Sequence, residues 1–208
     1  GARVAPIGRT AKDLESAAAE IKSAGGNAPE APIVADVSRA ADMEAAARRV
    51  ESLWGSPDVL VLCAGRADFR SVAGMSFEEW DREIAVNLSG VFYSIRCFLP
   101  GMIRKGLGDI VTLGSVASIK SFTGCGAYGA AKFGVRGLTG VLREELRGQG
   151  IRVTSILAGA TETGIWGKEL PAPPERLMRP EAVALAVIGA VTADPRSVVE
   201  EILLRPVL

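Results

Sequence analysis

The sequence predicts an α/β fold, a doubly wound parallel sheet in three layers (α/β/α). Two patterns predict it. Helical periodicity alternates with short strand-like runs along the whole chain. Those runs are solidly apolar rather than alternating, as expected of strands covered by helices on both faces.

Taken in order, Arg3–Ile7 reads as a short strand ending at Gly8. Lys12–Ala24 reads as a helix, with Leu14, Ala17, Ala18 and Ile21 on one face and Gly25-Gly26 stopping it. Ile33–Ala35 is a buried strand. Ser38 is the expected N-cap of a helix to Trp54, with Met43, Ala47, Val50 and Trp54 inward. Val59–Cys63 is a continuous apolar strand. Ser76-Phe77-Glu78-Glu79 is a capping-box pattern, in which the Ser and Glu side chains each satisfy a free backbone N–H. It opens a long helix towards Lys105. Asp109–Leu113 is a strand, Ala127–Gly148 a helix and Ile151–Leu157 a strand. Pro180 opens a helix to Ala193, and Ser197–Leu204 closes as a strand. The irregular stretch 158–179 is rich in Gly and Pro, and a loop of that length is usually functional, here a substrate lid.

The 208 residues suit a single domain, 1–208. With 24 basic and 24 acidic residues and no charge block, neither nucleic acid nor an anionic membrane is an expected partner. No apolar run is expected to span a bilayer. The three cysteines, Cys63, Cys97 and Cys125, are scattered, so no disulfide framework is expected and a reducing cytoplasm fits. The absence of histidine excludes Ser-His-Asp and Cys-His hydrolases and most catalytic zinc sites, so no metal is expected.

An open sheet of this kind binds a nucleotide at the carboxyl ends of its strands, with a Gly-rich turn after the first strand at the pyrophosphate. No such turn lies in this sequence. The chain opens on what reads as a second strand, so a strand and a helix of roughly 30 residues are expected before Gly1.

Tyr128 and Lys132 stand four apart, which on a helix puts both on one face, about 6 Å apart at the β-carbons. A phenol ordinarily titrates near about 10, and a neighbouring ammonium lowers that, making a usable acid/base. By itself the pair is common and reads rather as a surface helix pair. Ser115 lies just past a strand, placed to bond a substrate oxygen or simply to close a turn. Asn87, within apolar Ile84–Leu88, needs a task for its amide, structural or functional.

Together these residues resemble the short-chain dehydrogenase/reductase family, whose fold is Rossmann-like. The matching pieces are Asp36-Val37, Cys63-Ala64-Gly65, Asn87, Ser115, Tyr128-x-x-x-Lys132 and Ala158-Gly159-x-x-x-Thr163, in order. The resemblance implies Tyr128 as acid/base, Lys132 lowering its pKa and holding the nicotinamide ribose, Ser115 orienting the substrate oxygen, and Asn87 supporting a water chain behind Lys132. It implies Asp36 beside the adenine and Thr163 at the carboxamide, with Val37, Cys63, Ala64, Gly65, Gly159 and Thr161 completing the cofactor site. Two positions depart from the family pattern: Cys63 replaces an Asn, and Ala158 a Pro.

Where NAD-preferring members carry an acid after the second strand, this chain has Gly8-Arg9. An arginine fork matches a 2′-phosphate, so NADP(H) is the expected cofactor, the other possibility being a solvated Arg9. Val116, Phe122, Thr123, Cys125, Ile165, Trp166 and Leu170 suggest an apolar or aromatic carbonyl or alcohol as substrate, unless they only pack the lid. The resemblance implies a homodimer or homotetramer through the two long helices. The alternatives are a 3-ketoacyl reductase of fatty-acid synthesis and a non-catalytic nucleotide-binding relative.

Overall fold

In a computed structural model, residues 1–167 and 170–207 are described. Ile7–Gly8 (β1) pairs in parallel with Ile33–Val34 (β2), and Ala11–Ser23 (α1) packs on both. The first strand is shorter than predicted because Pro6 has no N–H to offer a ladder. Upstream, Arg3 makes only an isolated bridge to Asn27.

Ala40–Trp54 (α2) buries Met43, Ala46, Ala47 and Val50. Its N-cap is Arg39, without a side-chain cap. Ser38, the predicted cap, instead gives both its N–H and its hydroxyl to Asp36 Oδ1, at 2.9 and 2.7 Å.

The second sheet is fully parallel, in the order Val59–Leu62 (β3), Gly108–Ser115 (β4), Ile151–Ala158 (β5), Glu201–Leu204 (β6). Among the described residues β1 and β3 do not pair with each other. The β4–β5 register runs from Gly108↔Ile151 to Ser115↔Ala158, so both strands end level. The last strand starts later than predicted because Ser197 turns back on Asp194, donating its N–H and hydroxyl to the Asp194 carbonyl.

Between β3 and β4, Phe77–Ile84 (α3) opens with the predicted capping box, Ser76 Oγ on the Glu79 N–H and Glu79 Oε2 on the Ser76 N–H. One π-helical turn, Ala85–Ser89, joins it to Gly90–Lys105 (α4), which ends at the left-handed Gly106. The combined run Phe77–Lys105 is long and apolar enough by length and composition to cross a membrane, contrary to the expectation that no run would be. Here Val91, Ile95, Phe98 and Met102 of α4 are buried in the protein core.

Gly126–Glu145 (α5) packs on β4 and β5, and Pro180–Val191 (α6) on β5. Both stop before their predicted ends. The main core joins Leu62, Ile110, Ile151 and Val153 of the sheet to Val91, Ile95 and Met102 of α4 and Val135 and Leu142 of α5. A second cluster sets Ile33 and α2 against Phe98. The irregular stretch 158–179 contains two short 3₁₀ turns, Gly164–Trp166 and Pro174–Arg176. Residues 168–169 of this stretch, expected from the sequence to form a substrate lid, lie outside the described residues.

Candidate active site

Because the strands are parallel, their carboxyl ends share one edge, where an open α/β sheet builds its site. Ser115 is the last residue of β4. Its Oγ accepts the Ala117 N–H at 3.1 Å and its own N–H donates to Ser118 Oγ at 3.2 Å. Tyr128 and Lys132 both face inward from α5, 8% and 6% exposed. The Lys132 Nζ lies 5.5 Å from the Tyr128 ring centroid and donates to the Leu113 carbonyl at 2.8 Å.

Burial holds the Tyr128 phenol above its ordinary pKa, and the Ser115 hydroxyl offsets this only in part. Lys132 is not what sets it. This corrects the expectation of a lowered phenol, and the physical reason is desolvation, which disfavours the phenolate. Burial also lowers Lys132 to about 8, against the opposing pull of Glu83 and Cys63. At neutral pH the site therefore presents a protonated phenol beside a largely protonated ammonium.

Asn87 sits in the π turn, fully buried. Its Nδ2 donates to the Arg66 carbonyl at 2.9 Å, and its Oδ1 accepts the Arg66 N–H at 3.2 Å. Both bonds are structural. The extra residue in the turn belongs to the kind of local distortion often found at functional sites.

The chain matches the short chain dehydrogenase family over residues 1–173. A relative from Chlorobaculum tepidum named sepiapterin reductase is 35% identical over 198 residues, covering 95% of this chain and 80% of its own. The chain belongs to the short-chain dehydrogenase/reductase family.

Solved structures agree. An alcohol dehydrogenase of this family's fold from Thermococcus sibiricus, complexed with 5-hydroxy-NADP, superposes with TM-score 0.88 at 28% identity, covering 97% of this chain and 84% of that one. A metagenomic short-chain oxidoreductase in complex with NADP gives 0.86 at 32% identity, covering 100% and 87%. Members of the family use nicotinamide cofactors, and the residues at this sheet edge fit one. The Lys132 ammonium has three N–H donors and spends one on Leu113. A Cβ on Gly65 would stand 3.1 Å from Asn87 Oδ1, and one on Gly90 would stand 2.9 Å from Val37, so both glycines permit close packing at this edge.

The remaining cofactor-site candidates of this dehydrogenase/reductase are spread along the same edge. Cys63, Ala64 and Gly65 are exposed just past β3. The Cys63 thiol is pushed up by burial of its inner side, with Lys132 pulling the other way. Asp36 is held below its ordinary pKa, first by Ser38, with Arg9 and Arg39 adding to this. Arg9 is exposed directly after β1. Gly159 donates its N–H to the Leu204 carbonyl at 2.8 Å. Thr161 donates to the Gly159 carbonyl at 3.0 Å, and Thr163 is exposed at the start of the 3₁₀ turn.

The substrate-side candidates divide. Cys125 and Ile165 pack on Tyr128 with Ala117 and Ala67. Trp166 stacks on Phe69 at 5.4 Å and 13°, and Phe69 meets the Tyr128 ring at 5.8 Å. The Trp166 indole N–H is tied to the Thr161 carbonyl at 2.7 Å. Phe122 and Thr123 line a cleft of about 480 Å³ with Val72, Cys125, Gly129, Ala130 and Phe133. Cys125, which packs on Tyr128, also lines this cleft, so it adjoins the site. Leu170 is exposed.

Phe69, Arg66 and Glu83 went unnoticed in the sequence. Glu83 had a signal, since it precedes Asn87 by four residues on a helix and so shares its face. Phe69 had none beyond its place in the loop after Cys63-Ala64-Gly65.

Proposed function

We propose that this chain is an NADP(H)-dependent oxidoreductase working as a carbonyl reductase, with Tyr128 as proton donor to the substrate oxygen. The observation that carries this is the buried Tyr128 phenol beside Ser115 and Lys132 at the carboxyl ends of β4 and β5. A protonated phenol there suits proton donation to a carbonyl oxygen as hydride reaches the carbon. When bound, the nicotinamide supplies the hydride to the carbonyl carbon. Ser115 orients the carbonyl oxygen. Lys132, with N–H donors to spare, binds the ribose hydroxyls and keeps positive charge beside the phenolate as the proton leaves. Asn87 fixes the loop after β3 against the π turn.

The exposed Arg9 beside Asp36 supports NADP(H) over NAD(H), as do the NADP complexes among similar structures. Phe69, Trp166, Ile165 and Cys125 make an aromatic and apolar wall, which suits an aromatic or apolar carbonyl. The name of the Chlorobaculum relative supports the reductase direction. Exposed Phe92 and Ile103 on α4 and Phe133 and Val141 on α5 suit a homodimer or homotetramer. Three free thiols suit the cytoplasm.

The test is NADPH oxidation over a panel of aromatic, aliphatic and acyl-thioester carbonyls, with Tyr128→Phe in parallel. Turnover that falls at least about 1,000-fold in the variant supports the assignment, since general acid catalysis is worth roughly 10²–10⁴. A variant that keeps more than a small fraction of the rate refutes it.

A further inference from the structure

Glu83 is completely buried, yet nothing in the reaction as read above uses it. Its Oε2 accepts Asn87 Nδ2 at 3.1 Å, and its main-chain carbonyl accepts the same nitrogen at 3.2 Å. Its Oε1 lies 3.1 Å from Arg66 Nη1, an ion pair, but off line for a hydrogen bond, so both atoms are buried without one. Arg66 is the residue whose main chain Asn87 grips through both N–H and carbonyl. Helix α3, the π turn and the loop after β3 are thus fastened at one point.

The pairing continues outward. Arg66 Nη2 lies 3.9 Å from Asp68, Asp68 lies 3.3 Å from Arg70, and Arg70 lies 2.9 Å from Glu79. Charge alternates along this row from the interior to the surface, and Glu83 is its buried end. A buried carboxylate is costly, and a single ion pair seldom repays its desolvation. Burial indeed pushes the Glu83 carboxyl up, Asp68 adds to that, and Arg66 and Lys132 oppose it. Glu83 touches Arg66 from the loop and Asn87 from the π turn, and the further groups that act on it or feel its charge are Asp68 from the loop and Lys132, Tyr128 and Cys125 from α5.

We propose that Glu83 is a positioning residue for the proposed reaction, its fully buried carboxylate clamping Asn87 and Arg66 and setting the electrostatics of the proposed acid and its lysine. This rests on the reading of Tyr128 as proton donor. The sign is the same at both groups. A negative charge favours the ammonium over the amine and the phenol over the phenolate. Removing it lets both lose their protons at lower pH, and the alkaline limit of the reductase falls with them.

The test is Glu83→Gln, which keeps the shape and an oxygen for Asn87 while removing the charge. Glu83→Asp keeps the charge on a shorter arm. The double variant Arg66→Gln with Glu83→Gln removes both charges, so neither is stranded if the single variant fails to fold. The Lys132 midpoint is followed by NMR of the lysine ε-carbon, and the pH profile of kcat/KM with NADPH is measured alongside. The expected midpoint is about 8 in the unmodified protein. In Glu83→Gln it falls by about half a pH unit or more, and in the double variant by less, because losing the Arg66 charge offsets part of the change; the alkaline limb of kcat/KM moves down with it. Glu83→Asp keeps the limb in place with a lower plateau, whereas a purely structural role would lower the plateau in all variants and move no midpoint. Turnover with an unmoved Lys132 midpoint overturns the role of Glu83 alone. A moved midpoint with no turnover in the unmodified protein, or with an active Tyr128→Phe, overturns the proposed reaction and this role in it together.

Discussion

Replacing Lys132 by Met deletes the ammonium and keeps a flexible apolar chain in its place. Lys132 is 6% exposed, and burial lowers it from 10.5 to about 8. At 1.36 kcal/mol per pH unit, holding the buried ammonium charged costs the folded state about 3 kcal/mol. The substitution also loses the bond to the Leu113 carbonyl, worth about 1 kcal/mol net. Lys132→Met is therefore expected to stabilise the protein by about 2 kcal/mol at pH 7, while removing activity. For a domain of this size that is a rise in Tm of roughly 4–8 °C. The effect depends on pH with a definite sign. The folded-state pKa lies below the unfolded one, so below pH 8 both states are protonated and the full cost is present. Between about 8 and 10.5 the unfolded chain holds more protons, so the unmodified protein gains stability as pH rises, and the advantage of the variant shrinks to nothing. Thermal or urea unfolding at pH 7 and pH 10, with NADPH oxidation at both, checks this. A variant less stable than the unmodified protein at pH 7, or an advantage that does not shrink by pH 10, refutes the reasoning.

Three further outcomes are expected. NADPH should bind more tightly than NADH by fluorescence titration, and Arg9→Asp should erase or reverse the preference; equal affinities in the unmodified protein would end the 2′-phosphate reading. Asn87→Ala leaves the Arg66 N–H, the Arg66 carbonyl and Glu83 Oε2 without their partner, so urea unfolding should show a loss of about 3 kcal/mol, and a loss below about 1 kcal/mol would contradict the clamp. Light scattering at micromolar concentration should give a multiple of the chain mass, because exposed apolar residues on α4 and α5 form a face that association would cover, and a monomeric mass would contradict this.

Patterns that depend on neighbours along the chain were legible in the sequence. The alternation of helices and apolar strands, the Ser76 capping box and the shared face of Tyr128 and Lys132 all follow from local periodicity and backbone hydrogen bonding. So did the placement of Ser115 at a strand end, since parallel strands finish on one edge. Tertiary structure decided what periodicity does not encode. Whether Ser38 accepts from helix N–H groups as a cap or donates to Asp36 is decided by which partner the fold brings within reach. The π turn that delivers Asn87 to Arg66 is fixed by the contacts Asn87 makes outside its own helix, which the helical pattern does not encode. The stacking of Phe69 on Trp166 joins segments nearly a hundred residues apart. Tyr128 is shifted up, not down as expected, because its burial depends on tertiary packing, and desolvation disfavours the phenolate.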